Sequence, residues 1–198
     1  MLNPVQHRGS DMITESTFAN FRSPVYTRIT RSAETYKATQ DYTIAKLVRL
    51  VELYKDTVND QQQSRLIRDD IDQGLRRYHQ YCIQQRHGAH YIQQDAGERT
   101  VFEHLVPAST VRDLLLDEVI TPEQACNMPT CILSVENDRL LREAGWASRT
   151  PDIFNFWKRY QYCFDTTELF ETHDGKAIDP ATWTLADHFE YFEHARAV

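Results

Sequence analysis

The chain has 198 residues, of which 41% are hydrophobic, and a formal net charge of −7. That length suits one large or two small globular domains with a core of their own, and no apolar run approaches the roughly 20 residues that span a bilayer, so a disordered chain and a helical membrane protein are both excluded. The acidic balance excludes a basic footprint spread over the whole molecule, but the charge is uneven: residues 1–98 hold 13 Lys+Arg against 12 Asp+Glu, and residues 99–198 hold 9 against 17.

Residues 1–33 show little helical periodicity, and residues 1–40 are expected to form an extended arm. Within it, Ser23–Thr30 alternates and is β-branched, and Arg22, Arg28 and Arg31 make it locally basic. The arm is read either as solvated chain or as a segment that tracks a phosphate backbone. The first eight residues lack an apolar signal core, which makes a cytoplasmic location the default expectation.

A helical hairpin is expected over residues 41–98. Ile44, Leu47, Val48, Val51 and Leu53-Tyr54 fall near helical spacing over 41–59. Leu66, Ile67, Ile71, Leu75, Tyr78 and Cys82 do the same over 62–86, and Asn59-Asp60-Gln61 makes a short polar connector. Arg65, Arg68, Arg76, Arg77 and Arg86 decorate the second helix. Interleaved with Asp69, Asp70 and Asp72, they are either phosphate contacts or a solvated mixed-charge face. His87-Gly88-Ala89 ends that helix. Tyr91-Ile92 and Thr100–Phe102 then read as short strands around the polar turn Asp95–Glu98.

Val111–Leu116 predicts a short helix, and Thr121-Pro122-Glu123-Gln124 a helix start with Pro at the first position. Cys131–Val135 predicts a strand, and Glu136–Ala144 a helix closed by Gly145. Residues 148–198 are expected to be a helical extension. One helix starts at Thr150-Pro151-Asp152 and carries the aromatic set Phe154, Phe156, Trp157, Tyr160, Tyr162 and Phe164 toward the core. A turn follows at His173–Lys176, and a last helix opens with the capping signal Thr184–Asp187. His188 and His194, six residues apart, read as surface residues. Without a secretion signal, Cys82, Cys126, Cys131 and Cys163 read as free buried thiols; Cys126 and Cys131 could form one half of a zinc site, but the second close pair of ligands is missing.

The segment with the fullest set of chemical roles is Glu103-His104-Leu105-Val106-Pro107, followed by Asn127 and Asn137. Hydrolysis of a phosphodiester needs an activated water, relief of charge at phosphorus and help for the leaving oxygen. A neutral imidazole supplies the first, and a divalent ion on one or two protein oxygens supplies the others. Adjacent residues of a strand face opposite sides, so Glu103 and His104 share a site only if the strand ends or twists there, as nearby Pro107 would allow.

The acid-His pair, the apolar dipeptide, Pro107 and the spaced asparagines resemble the HNH nucleases, also called His-Me finger or ββα-metal nucleases, over about residues 100–145. The resemblance implies an α+β, mainly helical chain with a small ββα-metal nuclease core at 99–147. It implies that His104 is the general base, that Asn127 orients its ring through the loop backbone, and that Glu103 and Asn137 ligate a single Mg2+ or Mn2+. The implied substrate is double-stranded DNA, held by Arg65, Arg68, Arg76 and Arg77 with Arg28 and Arg31 of the arm. A homodimer would pair two weak basic faces. Read without the resemblance, His104 is a surface or satisfied core histidine, Asn137 a helix N-cap and Asn127 a turn residue. The rival expectation is a non-catalytic acidic helical protein, an interaction partner or inhibitor of a basic protein.

Overall fold

The computed structural model describes residues 33–84, 89–163 and 170–194. The extended arm, with Arg28 and Arg31, lies outside the described residues except for its end, which is already helical. Helix α1 runs Ala33–Thr57 rather than beginning at 41. Its core face carries Leu47 and Val51, while Val48 and Leu53 point outward and stay exposed.

Helix α2, Gln61–Tyr78, opens where the Asp60 carboxylate accepts the backbone N–H groups of Gln62 and Gln63 at 3.0 Å each. Ile67, Ile71, Leu75 and Tyr78 recur at three- and four-residue steps and are buried, so α1 and α2 pack as the expected hairpin. The helix does not continue regularly to 86: from His79 to Gln84 the turns widen into a π-helix. Widened turns of this kind re-aim side chains, and His79 is turned into the core.

The remainder combines β1 (Tyr91–Gln93), β2 (Thr100–His104), α3 (Ala108–Leu116), α4 (Pro122–Cys126), β3 (Thr130–Ser134), α5 (Val135–Glu143), α6 (Lys158–Gln161), β4 (Phe170–Thr172), β5 (Ala177–Ile178) and α7 (Leu185–His194). The strands form one mixed sheet in the order β2-β3-β1-β4-β5. β1 and β3 are parallel, with Tyr91 opposite Cys131, and every other pairing is antiparallel. β1 and β2 were expected to flank one turn as neighbours, but β3 lies between them. The α+β class holds, with seven α-helices among the described residues. Among those residues no helix is long and apolar enough to cross a membrane.

Residues 148–198 are not a purely helical extension, because they supply two of the five strands. The aromatic run after Thr150 also forms less helix than its pattern suggests. The Asp152 carboxylate accepts the backbone N–H groups of Phe154 and Asn155 in a turn, and only four residues become α6. Its side chains do reach the core: Phe156, Trp157 and Tyr160 are fully buried, whereas Tyr162 is exposed.

Capping fixes the remaining boundaries. Thr121 and Gln124 form a reciprocal capping box on α4, Thr184 and Asp187 another on α7, and Gly145 closes α5 at a φ of +75°. Replacement of Asp60 by Ala removes the acceptor that starts α2. It is expected to cost about 1 kcal/mol, read as a lower urea midpoint at unchanged slope; an unchanged midpoint would show that the hairpin does not depend on this cap.

Candidate functional site

β2 and β3 form an antiparallel pair, and α5 follows β3 without a break, its first N–H groups capped by Ser134. The helix packs back on both strands. This strand–strand–helix unit gathers most of the residues singled out in the sequence. Glu103 and His104 end β2, opposite Cys131 and Thr130. Asn137 lies in the first turn of α5, where its backbone N–H donates to Ser134 Oγ at 3.1 Å. It is therefore not the N-cap; Ser134 is. Asn127 closes α4: its Nδ2 donates to Glu123 O at 2.8 Å, a carbonyl of the helix itself rather than of a long loop, and its side chain is fully buried.

Pairing stays regular through His104, which turns Glu103 and His104 to opposite faces of the sheet. On one face Arg159 meets the carboxylate, its Nη2 donating to Glu103 Oε1 at 2.5 Å. The same nitrogen donates to His104 O and, at 2.8 Å, to Tyr160 Oη, while Nη1 donates to Trp146 O at 3.1 Å. Arg159 is 0% exposed, and Glu103 keeps 18% of its side chain exposed. Burial pushes the Glu103 carboxyl above its ordinary range, and the guanidinium opposes that rise. Asp138 of α5 also acts on Glu103 but is itself paired with Arg142.

On the other face the His104 ring lies 4.9 Å from that of His79 and 5.6 Å from that of Phe102. Burial, then the neighbouring His79, Arg76 and Arg159, hold the His104 imidazole well below its usual value, so it is neutral. Its Nε2 is buried without a hydrogen-bond partner. The exposed Arg76 of α2 acts on both Glu103 and His104.

Sequence reasoning missed His79, Arg159 and His188. His79 Nε2 donates to Cys126 O at 3.0 Å, which leaves Nδ1 as a buried acceptor without a partner. His188, expected at the surface, is fully buried. Its Nε2 donates to Asn127 O at 3.0 Å, and its Nδ1 accepts from Tyr91 Oη at 2.8 Å, which in turn accepts from Trp183 Nε1 at 2.8 Å. Two histidines thus hold the consecutive carbonyls of Cys126 and Asn127, where α4 ends ahead of β3. The one available signal was the spacing of His188 from Leu185, Phe189 and Phe192, which places it on the apolar face of α7.

Of the arginines expected to contact DNA, Arg68 is paired with Asp113 at 2.6 Å. Arg65, Arg76 and Arg77 are exposed, and Arg65 lines a cleft with Val58, Gln61 and Arg112 at the hairpin turn. Cys126 and Cys131 are buried free thiols, and Cys163 is free and partly buried.

At the ion position that the resemblance assigns to Glu103 and Asn137, the carboxylate is already engaged. One Glu103 oxygen accepts from the buried Arg159 guanidinium, and the neighbouring Asp138 is paired with Arg142. Among the described residues no group of three or more His, Cys, Asp or Glu is arranged to hold a metal. No family model matches the chain, and neither does any curated protein or solved structure.

Burial makes this arrangement sensitive to acid. His79 and His188 are held neutral, lowered by burial from 6.5 to about 4 and about 3 respectively. The unfolded chain therefore binds more protons than the fold from 6.5 downward. Stability is intact above that value and declines as pH falls toward the folded-state values, by up to ~1.4 kcal/mol per pH unit for each ring. Urea midpoints should drop between about pH 7 and pH 5, and His188→Gln should flatten the drop. A wild-type midpoint that is flat across this interval would contradict the burial of neutral rings.

Proposed function

We propose that the chain is a phosphodiester hydrolase acting on double-stranded DNA, with a core of the HNH type. The observation that carries this reading is the strand–strand–helix unit, with Glu103-His104 at the end of the first strand and Asn137 in the first turn of the helix. His104 is the general base. A neutral imidazole with an uncommitted nitrogen can take a proton from water, and burial keeps it neutral. The exposed Arg76, whose charge reaches His104, is the cation for charge developing on phosphorus. Arg65 and Arg77 on the same helix extend the contact along the phosphate backbone. The Mg2+ or Mn2+ implied by the resemblance would have to share Glu103 with the Arg159 guanidinium.

A second reading is favoured by the pairing of Glu103 with Arg159. A carboxylate neutralised by a core arginine suits a nuclease-like scaffold kept for binding, a non-catalytic protein whose acidic second half meets a basic partner.

Nicking or linearisation of supercoiled plasmid, measured side by side in EDTA and in magnesium or manganese, separates the two. The nuclease reading predicts cleavage by the folded wild type that falls on the order of 100-fold or more in His104→Ala, the usual contribution of a general base. It predicts a smaller loss in Arg76→Ala with little change in folding, since that side chain is exposed. Plasmid left intact in every arm by folded protein removes this reading and leaves the binding module.

A further inference from the structure

The ion pair on the Glu103 face has a chemical consequence of its own. Arg159 gives up all contact with solvent and distributes four hydrogen bonds over three parts of the chain: the end of β2, the loop after α5, and α6 itself. A guanidinium is always charged and presents its donors in a fixed fork. Once seated it is a permanent local cation. Glu103 is its carboxylate partner at charge-assisted distance, and the next carboxylate in reach, Asp138, is neutralised by Arg142. A divalent ion drawn to Glu103 would have to displace a donor rather than fill a gap. It would also meet the positive charges of Arg159, Arg142 and Arg76, all of which act on Glu103 or its near neighbours.

We infer that Arg159 is the resident cation of the Glu103 face, standing where a ββα-metal nuclease carries its ion, and that it excludes divalent metal from this carboxylate. Arg159 is a positioning residue: it touches no substrate and acts by occupying Glu103 and by fixing the His104 carbonyl, hence the end of β2. This refines the functional reading above, since it rests on that reading's assignment of Glu103 to the ion position. Its test does not use DNA.

The test is a Mn2+ titration of the whole folded chain, read by the loss of the free-ion electron paramagnetic resonance signal. Circular dichroism checks the fold of each variant. Wild type should show no saturable binding up to about 1 mM, the weak end of oxygen-ligand sites. Arg159→Lys keeps a charge at the site and should stay silent, although its melting temperature falls. Arg159→Met, which frees the carboxylate, should gain binding by at least about tenfold, and that gain should vanish in the Glu103→Gln/Arg159→Met double variant. One equivalent of Mn2+ bound by wild type and lost in Glu103→Gln would overturn the inference. So would a folded Arg159→Met that binds no better than wild type. Should Arg159→Met fail to fold, the wild-type and Glu103→Gln titrations decide the matter: silence upholds the inference and Glu103-dependent binding overturns it. A failure of the nuclease reading shows separately, in the plasmid assay.

Discussion

Arg159 enters the core as a full charge, and the surrounding architecture is arranged so that it can stay there. Removing a guanidinium from water costs several kcal/mol, and a single ionic contact seldom offsets that unless the remaining donors are also satisfied. Here they are met by a carboxylate at the end of β2, by the backbone carbonyls of His104 and Trp146, and by the Tyr160 hydroxyl. Only Nε lacks a partner. Because the acceptors come from separate segments, the arginine ties the edge strand of the sheet to the loop after α5 and to α6. Removing either member of the pair would strand the other in the core, which is why such pairs are far costlier to break than to replace whole.

Elsewhere in the core the same problem is solved without charge. His79 and His188 are buried as neutral rings whose Nε2–H groups donate to the Cys126 and Asn127 carbonyls respectively, at the end of α4. His90 does comparable work on β3: its Nδ1 accepts the backbone N–H of Thr130 at 3.2 Å, the residue paired with His104. The strand ends that carry Glu103 and His104 are therefore held by polar groups on both faces. His104 shares with His79 a buried ring nitrogen that binds nothing.

Much of the local structure was legible because its causes are local. Asp60, Thr121 with Gln124, Thr184 with Asp187, and Gly145 each mark a boundary through hydrogen bonds to near neighbours or through one backbone conformation. The α1–α2 hairpin and the β2, β3 and α5 segments could be read in the same way. Long-range arrangement was not legible. Nothing in the sequence of β1 says that its partners are β3 and β4 rather than β2, and β4 and β5 are three and two residues long, too short to show a period. The aromatic run from Phe154 to Tyr160 has helical spacing but is held mostly in turns, because Asp152 captures the N–H groups of Phe154 and Asn155. The site followed the same division. Glu103, His104, Asn127 and Asn137 were found as a string, while the partners that set their chemistry, Arg159 at 56 residues from Glu103 and His188 at 61 from Asn127, come from outside it. The remaining hint was a lone arginine, Arg159, between Trp157 and Tyr160.

The most direct measurement is a thermodynamic double-mutant cycle between positions 103 and 159: urea unfolding of wild type, Glu103→Gln, Arg159→Met and the variant carrying both. If the guanidinium and carboxylate hold each other in the core, each single change costs on the order of 3–5 kcal/mol and the double change costs much less than their sum. Losses that simply add would mean that the two groups do not sense one another, and the account of this face of the sheet would be wrong.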